Sequence, residues 1–455
     1  MNDTIAAIAT ALVPSAIGII RLSGPESIAV LDRVFTPAYG KPMSERPDRT
    51  LVYGALRDRE GAVIDHCLAT VSHGPHSYTG EDTAELQCHG SPTALTLGLE
   101  ALFAAGARQA KAGEFTRRAF LSGKLDLTRT EAVADLIHAE SPAAVRQAAG
   151  QLGGALERTI SGIYDELTDL MAHFHAVLDY PDEDIEPFEA AEISAALTVA
   201  GRRLSDLAAT YDRGRALVEG IPCAIIGRPN AGKSTLFNAL LGYDRAIVTP
   251  IAGTTRDTVE ERLNMGGVLL RLIDTAGLRD TDDQVERLGV ERSRAALERA
   301  ELVLAVVDSR DQLSAEDREI LSLALSAPRC VVIENKADLP GEHSPLPVPD
   351  GTPVVRLSAL TGDGLGDLEA AVAALFPADQ TVIPGSLLTN ARQAEAANRA
   401  RQSVQRAADA LQIGMSPDAV LSDVEEALEA LGELTGRSVR EDVTARIFER
   451  FCVGK

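Results

Sequence analysis

The stretch Ala224-Ile225-Ile226-Gly227-Arg228-Pro229-Asn230-Ala231-Gly232-Lys233-Ser234-Thr235 constrains this chain more than any other. It contains the pattern G-x-x-x-x-G-K-[ST]. The apolar run Cys223–Ile226 before it reads as a strand. Leu236–Leu241 after it reads as a helix, with Gly242 expected as its C-terminal stop. A strand, a glycine-rich turn and a helix N-terminus together cradle a phosphate. Backbone N–H groups curl around the anion and the helix end adds positive potential. Lys233 is placed to reach the terminal phosphates and Ser234 to hold a magnesium ion. The surrounding segment has to be an α/β layer with a parallel sheet.

Further strand-like runs follow at Val268–Ile273, Leu302–Val307, Cys330–Ile333 and Val354–Leu357. Three carry polar motifs at their ends. Asp274-Thr275-Ala276-Gly277 suits a water-bridged magnesium ion and a backbone N–H facing a γ-phosphate. Asn335-Lys336-Ala337-Asp338 is a guanine selector, whose carboxylate accepts two hydrogens that adenine does not present. Ser358-Ala359-Leu360 offers a backbone N–H to the guanine oxygen. Four motifs in this order, each after its own strand, predict GTP as the nucleotide. Leu278 stands where Ras-like switches carry a water-orienting Gln, so the attacking water needs another partner, and Asp282, Asp283 and Glu286 are candidates. Positive charge for the transition state comes from Arg256 or Arg279, or from a bound monovalent cation.

The chain has 455 residues, room for two to four domains, with 45% hydrophobic and 24% charged residues. No apolar run is long enough to cross a membrane. The start, Met1-Asn2-Asp3-Thr4, lacks the basic residues of a signal peptide. Five scattered cysteines (67, 88, 223, 330 and 452) form no C-x-x-C, so neither a disulfide framework nor a zinc site is indicated, and a reducing cytoplasm is expected. A net charge of −23 argues against non-specific nucleic-acid binding by the whole surface.

Residues 1–120 read as a small α+β domain. Its expected strands are Ile17–Leu22, Leu51–Leu56, Cys67–Ser72 and Ala84–Cys88, with helices over Ser27–Val34 and from Pro92 to about Ala105. From Arg117 to about Tyr180 the pattern is long and helical, then breaks at the acidic Leu178–Asp184 segment. Ala190–Val218 and the stretch from about Ser386 to Lys455 are helical again. The expected fold class is therefore multidomain α/β. A G domain at 217–379, Ras-like with a mostly parallel sheet, is inserted into a discontinuous helical domain formed by 121–216 and 380–455. His89 shows no partner cluster in sequence and reads as structural.

These motifs, with Ile251-Ala252-Gly253-Thr254-Thr255-Arg256-Asp257, Leu278-Arg279-Asp280 and Val285-Glu286, resemble the MnmE (TrmE) family of tRNA-modification GTPases. Tyr78-Thr79-Gly80-Glu81-Asp82, Ala119 to Leu127 and the terminal Phe451-Cys452-Val453-Gly454-Lys455 extend the resemblance over essentially the whole chain. Val453 replaces the family's usual Ile, a change of one methylene. The resemblance implies a homodimer whose N-terminal domain, residues 1–120, binds a tetrahydrofolate derivative, in 5-formyl or 5,10-methylene form, through Arg21, Glu81, Lys124 and Lys455. It implies a flavoprotein partner similar to MnmG, in a heterotetramer or larger complex, and an aminomethyl-type or carboxymethylaminomethyl group added at C5 of a tRNA wobble uridine. Cys452 lies near the one-carbon unit as a catalytic thiolate or as a structural thiol. In the G domain the resemblance implies potassium held by Asn230, Thr249, Ile251 and Thr254, in a loop that also includes Pro250. Magnesium is held by Ser234 and Thr255, and Glu286 orients the water. Potassium-dependent dimerisation then takes the place of an arginine finger. The alternative from the G motifs alone is a ribosome-assembly GTPase switch.

Overall fold

The computed structural model describes residues 3–179, 190–245, 261–273, 297–308, 310, 313–340, 346–377, 383–437 and 454. The chain divides into two compact units. One comprises Met1–Ile137, Gln151–Leu204 and Ala396–Lys455, the other His138–Gly150 and Ser205–Glu395.

The first unit opens with a seven-stranded sheet. Its strands are β1 (Ile5–Ile8), β2 (Ser15–Ser23), β3 (Phe35–Pro37), β4 (Val52–Arg57), β5 (Val63–Ser72), β6 (Thr83–Gly90) and β7 (Arg108–Gln109), in the order β3-β4-β5-β6-β2-β1-β7. All pairs are antiparallel except β1 with β7. The helices α1 (Ser27–Val34) and α2 (Pro92–Ala104) contribute Leu31, Leu95 and Leu102 to one core with Ile20, Leu22, Val71 and Leu86. Ser91 caps α2 by accepting from Ala94 N, and Pro92 opens it, where its missing N–H costs nothing. Strands β1, β3 and β7 had no sequence signal because each is only two to four residues long.

The helical run expected from Arg117 to Tyr180 is four helices: α3 (Glu114–Leu121), α4 (Leu127–Ile137), α5 (Pro142–Leu152) and α6 (Ala155–Asp179). Gly123 and Gly154, both at positive φ, break the pattern between α3 and α4 and between α5 and α6. The run from Ala190 likewise splits into α7 (Ala190–Ala208) and α8 (Tyr211–Glu219). At the other end of the chain α13 (Pro417–Thr435) packs on α6, so helices far apart in sequence meet within the first unit.

The second unit holds a six-stranded sheet: β8 (Ile221–Ile226), β9 (Glu261–Met265), β10 (Val268–Leu272), β11 (Leu302–Asp308), β12 (Cys330–Asn335) and β13 (Val354–Arg356). The order is β13-β12-β11-β8-β10-β9, parallel except for the β9–β10 hairpin at the edge. Every residue of β8 and β11 is buried, as a central parallel sheet requires. The two-residue period divides β11 between two cores. Leu302, Leu304 and Val306 join Phe237 and Leu368 on one face, whereas Val303, Ala305 and Val307 join Leu321 on the other. The helices covering these faces are α9 (Lys233–Arg245), α10 (Ala315–Ala324) and α11 (Leu365–Leu375). Between α11 and α13, α12 runs over Ala391–Gln412. Helix α9 continues through Gly242, which does not end it. Gly242 does not adopt the positive φ of a helix stop, and it faces open space.

Candidate functional site

The phosphate loop leaves the buried end of β8 and enters α9 at Lys233. Two of its residues take left-handed backbone: Asn230 at φ 61° and Gly232 at φ 98°. Only glycine fits at 232, because a Cβ there would lie 2.2 Å from Asn335 Nδ2. Lys233 Nζ donates to Gly227 O at 2.8 Å and Arg228 O at 2.9 Å. Burial lowers the pKa of Lys233, partly opposed by the carboxylate of Glu316.

Asn335, at 1% exposure, is the joint between loops. Its Nδ2 donates to Ala231 O at 2.9 Å, and its Oδ1 accepts from Ala359 N at 3.0 Å. One amide therefore fixes the phosphate loop and the Ser358–Leu360 loop together. Ala337 N donates to Leu357 O at 3.1 Å, and Ser358 Oγ accepts from Thr361 N at 3.2 Å. Asp338, the residue after Ala337, is exposed. Thr235, Asn238, Ala239 and Tyr243 of α9 line a pocket of about 430 Å³ with Ala359, Leu360, Thr361, Gly362 and Leu365. The structure thus brings together Asn230 to Thr235, Asn335 to Asp338 and Ser358 to Leu360. Thr249 to Thr255, Asp274 to Gly277 and Glu286 lie outside the described residues.

Sequence reading missed Asp308, the last residue of β11, which accepts from Lys336 Nζ at 2.7 Å. Its signal was an acidic residue closing an apolar strand, the same logic that singled out Asp274.

A second cluster surrounds the Tyr78–Asp82 loop in the first unit. The Arg21 guanidinium lies 5.9 Å from the ring centres of both Tyr78 and Phe115, and Nε donates to Glu85 at 2.8 Å. Glu81 Oε2 accepts from Ser23 Oγ at 2.9 Å and from Arg118 Nη1 at 2.8 Å; among the described residues no donor reaches Oε1. Gly80, at φ 80°, lets the loop press on α3: a Cβ there would lie 2.6 Å from Ser122 Oγ and 3.7 Å from Lys124 Cε. Arg21, Glu81 and the exposed Lys124 are therefore gathered around one loop. Cys452 and Lys455 lie outside the described residues. Gly454 is buried against β1, and a Cβ on it would lie 2.4 Å from Ile8 O.

Arg118 anchors this cluster and had no sequence signal. Its side chain is 1% exposed and binds Asp3 Oδ1 at 2.9 Å as well as Glu81 and Glu114. Burial alone would raise the pKa of Glu114. Hydrogen bonds from Arg108, Lys111 N and Arg118 outweigh it and hold Glu114 down at about 2. His89 does have a partner, Asp65, at 2.8 Å from Nδ1.

A phosphate loop opening a helix, with N-K-x-D and Ser-Ala-Leu loops at the C-terminal ends of a mostly parallel sheet, defines a P-loop GTPase. The family model described as "GTP-binding protein TrmE N-terminus" matches residues 4–124, and the "MnmE helical domain" matches residues 127–452. A tRNA modification GTPase MnmE of Symbiobacterium thermophilum is 45% identical over 460 residues, covering 100% of both chains. That of Roseiflexus sp. (strain RS-1) is 44% identical, covering 100% of this chain and 99% of the relative. A solved structure of Era in complex with MgGDPNP and nucleotides of 16S ribosomal RNA is 30% identical. It covers 40% of this chain and 65% of that chain with a TM-score of 0.26. The chain belongs to the MnmE family of tRNA modification GTPases.

Proposed function

We propose that this GTPase acts on tRNA with a flavoprotein partner similar to MnmG, in a heterotetramer or larger complex. Together they add an aminomethyl-type or carboxymethylaminomethyl group at C5 of the wobble uridine. The carbon comes from a tetrahydrofolate derivative, 5-formyl or 5,10-methylene, bound by residues 1–120. Helical parts 121–216 and 380–455 flank a G domain at 217–379. The chain works in the cytoplasm as a homodimer.

The observation that carries the reading is the gathering of Arg21, Glu81 and Lys124 around the Tyr78–Asp82 loop, with Gly454 packed at Ile8. Cys452 and Lys455 are near neighbours of Gly454 in sequence. Arg21, Lys124 and Lys455 suit glutamyl and formyl oxygens, and Glu81 Oε1 accepts from a pterin-like ring. Cys452 acts as a thiolate near the one-carbon unit or packs as a structural thiol.

In the G domain, Lys233, whose Nζ donates to Gly227 O and Arg228 O, is the cation for the terminal phosphates of GTP. Ser234 and Thr255 hold magnesium. Asn230, Thr249, Ile251 and Thr254 hold potassium, a set of hard oxygen donors that fits such a cation. The cations supply positive charge beside the β- and γ-phosphates. Asp338 reads guanine, and Glu286 orients water.

The test combines the purified chain, its flavoprotein partner, an unmodified tRNA transcript, GTP and the folate donor, with mass spectrometry of the wobble nucleoside. A C5 adduct that requires both GTP and folate supports the reading. An adduct formed equally well without this chain contradicts it.

A further inference from the structure

Lys336 has backbone in the left-handed region, at φ 66°, and so does Asn230, at φ 61°. Neither is glycine, so both conformations carry strain that surrounding contacts must hold. One ammonium group does much of the holding. Lys336 Nζ donates to Asn230 O at 2.7 Å and to Asp308 Oδ2 at 2.7 Å. A lysine stem is long and flexible, so an ammonium stays in one place only where a fixed acceptor defines that place. Asp308 is such an acceptor. Its side chain is 3% exposed at the end of the central strand β11, flanked by β8 and β12. Arg310 grips the same carboxylate from N at 3.1 Å, Nε at 3.0 Å and Nη2 at 2.8 Å.

We propose that Asp308 is a positioning residue of the nucleotide site. It fixes Lys336, and through Lys336 it locks the guanine loop to the phosphate loop at Asn230. Base recognition and phosphate binding then close on the nucleotide as one unit. The hydrogen bonds from Arg310 and Lys336 outweigh burial and hold the Asp308 carboxyl well below the usual carboxylate range, so it stays ionised throughout the working pH range. The inference rests on GTP binding by these loops and is independent of folate and tRNA, so its failure leaves the modification reading standing.

The test uses the full chain with magnesium and potassium chloride, reading release of a fluorescent GDP analogue by stopped flow. Asp308→Asn keeps the shape and removes the charge; Lys336→Met keeps the stem and removes the ammonium. Each is expected to speed release by about tenfold to a hundredfold, the loss of one charge-assisted hydrogen bond. The double variant is expected to release within about twofold of the faster single variant, because both changes cut the same link. Arg310→Ala leaves the lysine contact in place and is expected to release within about twofold of the original chain. Multiplying effects in the double variant, or an Arg310→Ala effect as large as that of Asp308→Asn, would overturn the proposal. So would unchanged release by Asp308→Asn. Melting of the nucleotide-free proteins checks folding; should Asp308→Asn not fold, unchanged release by Lys336→Met is itself decisive against the link.

Discussion

The phosphate loop and the Tyr78–Asp82 loop both gather polar groups beside a sheet, but they are held by different means. The phosphate loop is held largely by backbone geometry and by two side chains that bond its main chain, the buried Asn335 amide and the Lys336 ammonium. The Tyr78–Asp82 loop is held by side chains. Arg118 binds Glu81 and Asp3, which lie 37 and 115 positions from it in sequence. A site built from backbone is written in a contiguous motif, because only certain residues permit the conformation. A site built from distant ion pairs leaves no local trace.

The largest expected effect would separate the two regions outright. Glu286→Ala should slow GTP hydrolysis by roughly 10² or more, as loss of a water-positioning group does, while GTP affinity stays within a few-fold and folate binding is unaffected. Hydrolysis within a few-fold of the original would remove Glu286 from that role. Next, Asp338→Asn should turn preference from GTP toward XTP by roughly tenfold or more in competition binding, since the site's hydrogen bonds to the base are rewritten. An unchanged preference would mean that the guanine loop does not read the base.

That difference in construction also explains how much could be read beforehand. The central strands of the G domain and its mostly parallel order were legible, because Cys223–Ile226, Leu302–Val307 and Cys330–Ile333 are continuous apolar runs. The edge strand β9 was not: in Glu261–Met265 only Leu263 and Met265 are buried, and the rest is polar. Gly242 misled because glycine inside a helix and glycine ending one differ in φ, which sequence does not display. In the N-terminal domain the long strands and both helices were legible from their alternation and the Ser91-Pro92 start. The Arg118 hub was not, since a charged residue on a helix normally faces water.

The side-chain-built region should be the easier one to weaken without touching the other. Glu81→Gln should weaken folate binding about tenfold in a fluorescence titration and leave the GTPase rate unchanged. A GTPase rate that falls in parallel would show that the regions are not independent. The smallest effect is on stability against pH. Glu114 has a folded-state pKa of about 2, below its ordinary 4.5. Its contribution is therefore fully present above about 4.5 and is lost as pH falls toward about 2. Thermal melting of the intact chain should fall in that window, and the fall should be shallower for Glu114→Gln. Equal slopes would place the acid sensitivity elsewhere.

The most direct test of a G domain that uses a cation in place of an arginine is the GTP hydrolysis rate of the purified chain in potassium chloride against sodium chloride at equal ionic strength. Strong stimulation by potassium, abolished by Asn230→Ala, is the predicted result. Equal rates in the two salts would contradict it and return Arg256 or Arg279 to the role of charge donor.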